Sequence, residues 1–229
     1  MATDLYIVRH GRTMFNTLHR AQGWSDTPLT EQGQEGIREL GVGLRERGLS
    51  FHRALSSDLG RTILTMDILL SELGLKGEIP YTYDARIREW SFGSNDGVYD
   101  QDLFFNILPR IAGVDSMEEM TYEDMAKAIY EADTADWAET WEQLRDRLLA
   151  GIKDLAEKME AAGGGNALVV SHGMTIGTLL YLLNGQRFVV LDNGSVTRIR
   201  YEDGQFQVLE VGDLSYRQDG RKVLDQNQS

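Results

Sequence analysis

An α/β fold, a three-layer sandwich of helices around a mainly parallel mixed sheet, is predicted by three observations in this 229-residue sequence. Short apolar runs alternate with longer segments of helical period through most of the chain, the pattern of strands laid side by side with crossover helices. Local pairing signals replace that alternation near the end. Three of the apolar runs lead directly into loops rich in arginine, histidine and serine, and open α/β sheets bind ligands beyond the carboxyl ends of their strands.

Taken in order, Leu5–Val8 (LYIV) reads as a buried parallel strand. In the next segment Ile37, Leu40, Gly41 and Leu44 share one helix face, with Thr30 as N-cap and Gly48 as stop. Arg53–Ser57 is a short strand, and the helix after it turns Ile63, Met66, Leu69, Leu70 and Leu73 inward. The stretch EIPYTYD reaches another strand, placed near an edge by Pro80. Residues 98–134 are strongly acidic and dotted with aromatics and methionines. Ser116 to Glu119 there reads as a capping box, so a helical insertion is expected. A long helix then keeps Trp137, Trp141, Leu144, Leu148, Ile152, Leu155 and Met159 on one core face and ends at Gly163–Gly165. ALVVSHG is a third passage from strand to loop, running into the helix MTIGTLLYLLNG. Beyond it the chain alternates, with hairpin chemistry at Asn193-Gly194 and Asp203-Gly204. The polar tail, residues 213–229, is expected to be loose. Residues 1–229 are expected to form a single domain carrying the insertion.

The formal charge of −13 makes nucleic acid and anionic membranes poor partners. It leaves room for an anionic small molecule, because screening over roughly 8 Å lets a local basic pocket work inside an acidic protein. There is no cysteine, which excludes disulfides, thiolate metal sites and a cysteine nucleophile and fits a reducing compartment. Asp4 interrupts any signal-peptide pattern, and the longest apolar run, Gly173 to Leu183, is too short to span a bilayer. A cytoplasmic protein is therefore expected. Neither G-x-x-x-x-G-K-[ST] nor G-x-G-x-x-G occurs, which weakens an ATP or NAD reading.

The chemistry gathers at the strand ends. The first strand ends in Arg9-His10-Gly11, the second leads to Arg61 in a helix's first turn, and a later one ends in Ser171-His172-Gly173. The segment RIREWSFG adds Glu89. Two helix N-termini, after Ser57 and after His172, are expected to point to the same place and to favour anions. Guanidinium forks match phosphate oxygens in geometry and charge. An imidazole neutral at pH 7 is a good nucleophile toward phosphorus, and a carboxyl beside the leaving oxygen can deliver a proton. These parts together make phosphoryl transfer through a phosphohistidine.

RHGRTMFN, AQGWSDTPLTEQG, LSSDLGRTILT, Glu89 before Phe92-Gly93, and VVSHG stand in an order that resembles the histidine phosphatase superfamily, the phosphoglycerate mutase-like proteins. The resemblance implies that His10 takes the phosphoryl group. Arg9, Arg61 and His172 would hold the phosphate oxygens, and Glu89 would protonate the leaving alcohol and then activate water. It places Asn16, Gln22 and Gly23 among further phosphate and substrate contacts, and Gly173 beside His172 joins them. It implies no metal and no other cofactor. A carboxyl near two arginines should titrate low, whereas burial would push it up, so the sequence leaves the protonation of Glu89 open.

Other residues have plainer readings. His19 and His52 lack partners in the pattern and are expected at the surface, and Arg12 and Arg20 either flank the mouth of the site or are solvated, the second reading being preferred. Within the superfamily the choice lies between phosphatase and mutase. A phosphoglycerate mutase must hold a carboxylate and retain a bisphosphate, which calls for extra cations. From Trp90 to Thr140 only Arg110 and Lys127 are basic, against twelve acidic residues. An acidic, aromatic lid suits a monophosphate whose leaving group is neutral, apolar or cationic. The sequence thus points to a phosphomonoesterase acting on a small phosphorylated metabolite. A phosphoglycerate mutase is the alternative within the family, and a non-catalytic phospho-ligand-binding module the alternative outside it.

Overall fold

The computed structural model describes residues 1–227. Its six strands are β1 (Thr3–Arg9), β2 (Arg53–Ser56), β3 (Tyr81–Tyr83), β4 (Gly165–Ser171), β5 (Val196–Glu202) and β6 (Gln205–Asp213). They form one sheet in the order β3-β2-β4-β1-β5-β6. The first four strands of that order run parallel, and β5 and β6 are antiparallel additions at one edge. β3 lies at the other edge, where the preceding Pro80, which has no N–H to donate, is tolerated.

Both faces of the central strands are buried, which is why they read as unbroken apolar runs. Leu5 and Ile7 of β1, with Ala167 and Val169 of β4, face one core. Tyr6 and Val8, with Leu168 and Val170, face the other. After a short helix α1 (Met14–Thr17), α2 (Glu31–Glu46) and α3 (Gly60–Glu72) cover the second face. Thr30 caps α2 by accepting from the Gly33 N–H, as expected from sequence.

The insertion is helical. It runs through α4 (Asp100–Asp102), a π-helical turn (Leu103–Ile107), α5 (Leu108–Ala112), a 3-10 turn (Met117–Glu119) and α6 (Tyr122–Ala132). Together with the long α7 (Trp141–Ala161) and α8 (Gly173–Asn184) it covers the first face.

Four expectations need correction. The capping box lies at Thr121–Asp124 and opens α6, whereas Ser116 makes no side-chain cap. Trp137 is 75% exposed and lies before the Thr140 cap of α7, so the core face of that helix starts at Trp141. The Asn193-Gly194 turn does not join two strands: residues 187–192 are irregular, and the turn feeds directly into β5. The hairpin at Asp203-Gly204 is real, with positive φ of 51° and 77° at the two turn residues.

The tail is not loose over the described residues. It forms α9 (Ser215–Asn227) and packs on α2. Tyr216 is buried in the second core, and the Arg47 guanidinium sits 4.1 Å from its ring centroid. Gly43 of α2 and Gly220 of α9 face each other's backbone, where an added Cβ would come within 1.7 Å of a carbonyl oxygen, so the crossing is closer than any other residue permits. Among the described residues no helix is long and apolar enough to cross a membrane.

Candidate active site

Strand register brings the chemistry together. β1 and β4 run parallel from Thr3 opposite Gly165 to Arg9 opposite Ser171, so His10 and His172 leave the sheet side by side. The His10 N–H then donates to the Ser171 carbonyl at 3.0 Å, and the Ser57 N–H, after β2, to the Val170 carbonyl at 3.2 Å. The two imidazole rings lie 5.2 Å apart.

The hydrogen bonds fix the tautomer of each ring. The Nδ1 of His10 lies 2.8 Å from the Gly11 carbonyl, which can only accept, so Nδ1 carries the proton. Its Nε2 therefore keeps the lone pair, and the Arg61 Nε–H donates to it at 3.3 Å. In His172 the polarity is set by Arg61, which can only donate: its terminal nitrogen is 3.0 Å from Nδ1. Nε2 then carries the proton and donates to Ser57 Oγ at 2.8 Å, with Thr62 Oγ1 a further 2.8 Å on and leading to the Leu59 carbonyl. Both histidines titrate well below the ordinary imidazole range, first because they are buried and then because Arg61 is close.

Arg61 is 1% exposed. Its five donors all have partners: the two histidines, the Gly23 and Ser25 carbonyls and the Asp26 carboxylate. Arg9 donates to the Leu191 carbonyl, while its Nε is buried without a hydrogen-bond partner.

Glu89 is 5% exposed. Burial raises its pKa, and the hydrogen bonds it accepts, along with the charge of Arg61, only partly offset this, so desolvation wins the contest that the sequence left open. Its Oε1 accepts from the Trp90 and Thr175 N–H groups, and its Oε2 from the Met174 N–H alone. That leaves Oε2 as the oxygen able to carry a proton.

The expectation that two helix N-termini present themselves to an anion needs correction. Glu89 occupies the start of α8, and Asp26 occupies the start of α3, accepting from the Gly60 N–H at 2.6 Å. The positive ends of both helices are engaged by acidic side chains of this chain.

A cleft of about 260 Å³ opens over these groups and is lined by Arg9, His10, Asn16, Gln22, Glu89 and Gly173, among others. Arg61 and His172 do not line it: both are buried, with Arg61 bonded to the rings of His10 and His172. Gly23 is not a lining residue: its carbonyl holds Arg61 and its N–H is held by Asp96, 2.9 Å away. A side chain there would strike the Trp90 carbonyl at 2.4 Å. Gln22 reaches Thr13 and Thr27, and Asn16 is bonded by Asn193, which also donates to the His10 carbonyl at 3.0 Å. No group of three or more His, Asp or Glu among the described residues is placed to hold a metal ion.

The histidine phosphatase superfamily (branch 1) model matches residues 5–104 and 110–214. The chain belongs to this superfamily. It is 32% identical over 223 residues to the protein named Probable phosphoglycerate mutase GpmB of Salmonella choleraesuis (strain SC-B67), covering 93% of this chain and 94% of the relative. A phosphoglycerate mutase structure from Bacillus anthracis str. Sterne aligns with TM-score 0.90 and 37% identity, over 96% of this chain and 97% of that one. The alpha-ribazole phosphatase from Shigella flexneri, 22% identical with TM-score 0.69 over 92% and 96% of the two chains, shares the fold. The fold is thus shared with proteins named as mutases and as phosphatases.

In this superfamily member several site residues were invisible as such in the sequence. Ser57 and Thr62 read as a strand end and a helix start, yet Ser57 accepts the His172 Nε2 proton and Thr62 continues the chain of hydroxyls behind it. Asn193 read as a hairpin turn. Arg147 lay unremarked on the long helix, yet it donates to the Arg86, Arg88 and Glu89 carbonyls at 2.9 Å each. It also pairs with Glu139, and so holds the segment that carries Glu89. Arg20, read as solvated, lines the cleft. His19 and His52 are exposed, as expected.

Proposed function

We propose that this protein hydrolyses small phosphate monoesters through a phosphohistidine at His10. The observation that carries the reading is the neutral His10 ring, whose Nε2 lone pair lies beside Arg61 while a buried carboxyl of raised pKa lines the same cleft.

In the first step Nε2 attacks phosphorus, the bond from phosphorus to the alcohol oxygen breaks, and Glu89 gives its proton to that oxygen. In the second step Glu89 takes a proton from water, the resulting hydroxide attacks phosphorus, the N–P bond breaks and orthophosphate leaves. Arg61 Nε–H, which now donates to the lone pair, turns to a phosphoryl oxygen once the N–P bond has formed. The unpartnered Arg9 Nε is the second donor for the phosphate, since a buried donor left unpaired costs about 1–3 kcal/mol that an arriving oxyanion recovers. Site burial, absence of cysteine and acidic charge fit work on a metabolite in the reducing cytoplasm.

The names of the relatives favour a second reading, a phosphoglycerate mutase. Against it, the cations lining the cleft are Arg9 and Arg20, and the Arg20 guanidinium is held by the Gly97 carbonyl at 2.5 Å and over the Tyr99 ring at 4.2 Å. The deciding measurement is phosphate release from a panel of monophosphates alongside interconversion of the phosphoglycerates. Acid-labile label on His10 with steady phosphate release supports the phosphatase. Fast, bisphosphate-stimulated interconversion with little release overturns it in favour of the mutase. Ligand binding with no turnover of any ester, and no difference on His10→Ala, leaves a non-catalytic binding module.

A further inference from the structure

The part of the cleft beyond the phosphate site has a chemistry of its own. Its walls include Phe104, Phe105, Met117, Phe188 and Val189, and among them stands the carboxylate of Asp100. Phe104 and Phe105 come from the π-helical turn that follows α4, and such turns are frequent at functional sites. Phe105 is 58% exposed on the rim, while Phe104 packs edge-on against buried Phe92 at 6.1 Å.

Asp100 is half-buried, and among the described residues its carboxylate accepts no hydrogen bond and joins no ion pair. Burial raises its pKa, and the side chains that act against this through space are His19, exposed on the surface, and Arg9, which the phosphate would occupy. A half-buried carboxylate with no ion pair of its own, in a wall it shares with Phe104 and Phe105, repels an anionic leaving group and attracts an ammonium. Ring faces attract such a cation further through their quadrupoles. The surrounding charge acts in the same direction, with twelve acidic residues against two basic ones from Trp90 to Thr140.

We infer that Asp100 and the aromatic turn after it form the leaving-group subsite, and that the substrate class is a phosphate ester of an amino alcohol, whose ammonium meets Asp100 and the Phe104–Phe105 faces. The inference rests on the phosphomonoesterase reading for its reaction, but the subsite can be tested without it. Such an ester carries one fewer net negative charge than a sugar or glycerol phosphate, so the −13 chain repels it less.

The experiment compares phosphocholine with dimethylbutyl phosphate, in which carbon replaces the quaternary nitrogen, and uses p-nitrophenyl phosphate as a control for phosphoryl transfer. The expected kcat/KM ratio of the cationic to the neutral ester is about tenfold, and Asp100→Asn lowers that ratio to near one. A wild-type ratio at or below one, or a ratio that Asp100→Asn leaves unaltered, overturns the subsite. Calorimetric titration of the same two esters into the His10→Ala protein reads the preference as an affinity ratio, with the same expected and overturning values. If p-nitrophenyl phosphate and both esters go unhydrolysed, the phosphatase reading falls, and the titration still decides whether the subsite selects an ammonium.

Discussion

The two imidazoles are held in opposite tautomers by partners that can each play only one role. A backbone carbonyl makes His10 a donor at Nδ1, and an arginine makes His172 an acceptor at Nδ1. Glu89 differs from both rings, because burial raises its pKa and so favours its protonated form. Replacing it tests that division of labour. Glu89→Gln should slow turnover of alkyl phosphates by about 10²–10⁴-fold, the usual worth of a general acid-base group. On p-nitrophenyl phosphate, whose leaving group needs no proton, a burst of nitrophenolate should remain, followed by slow turnover as phosphohistidine accumulates. Stopped-flow absorbance reads both phases, and loss of the burst would show that Glu89 is needed for the first transfer regardless of leaving group.

The same residues make stability depend on pH. His10 and His172 titrate in the fold well below the ordinary 6.5. In the window between the folded values and that ordinary one the unfolded chain binds more protons than the native chain, so the contribution is full above about pH 6.5 and is lost as pH falls. Glu89 acts in the other direction. Its folded pKa lies above the ordinary 4.5, so its contribution is full below that value and fades as pH rises through the folded one. The thermal midpoint should therefore fall between about pH 7 and 5.5, a range set by the histidines, and fall less steeply in His10→Asn. A midpoint flat over that range would show that the rings are not held neutral.

Two elements carry more than their sequence announced. The insertion places only part of itself over the cleft: Asp100, Phe104, Phe105 and Met117 reach it, while α6 packs beneath through Met125, Ala126 and Ile129. Exchanging residues 98–134 for a related insertion should change which esters are accepted and leave the burst on p-nitrophenyl phosphate intact. Disappearance of the burst in a folded exchange variant would mean that the insertion also builds the phosphate site. α9 is a packed helix because its glycine lets α2 approach and its Tyr216 enters the core. Gly220→Ala, which sets a methyl group against the Glu39 carbonyl, should cost about 1–3 kcal/mol in chemical denaturation, as overpacked contacts do. No loss would mean that α9 can lift away without consequence.

Over the molecule as a whole, the acidic chain surrounds a cationic floor. On the proposed reading the floor would attract phosphate at short range, and the net charge opposes the approach of any polyanion at long range. Added salt screens the second effect more than the first. Raising ionic strength from about 10 mM to 200 mM should therefore raise kcat/KM for phosphoglycerate several-fold and for phosphocholine less, read from initial rates at matched pH. Equal salt effects on the two would show that the net charge does not steer the substrate. The same scale explains how the site is assembled: parallel register between β1 and β4, and between β2 and β4, aligns three strand ends whose residues lie up to 163 positions apart, from Arg9 to His172.

The α/β class, the order of its elements and the convergence of His10, Arg61, Glu89 and His172 were legible in the amino-acid order. Apolar period, caps and strand-end motifs are local, and each needs only a few neighbouring residues to express it. Folding in three dimensions decided the rest. Whether Glu89 keeps its proton depends on how much water its surroundings exclude, and whether a helix N-terminus is open depends on which distant carboxylate reaches it first. The packing of α9 and the orphan state of Asp100 belong to the same category. Such properties are sums over contacts between segments far apart in the chain, and local pattern carries no term for them.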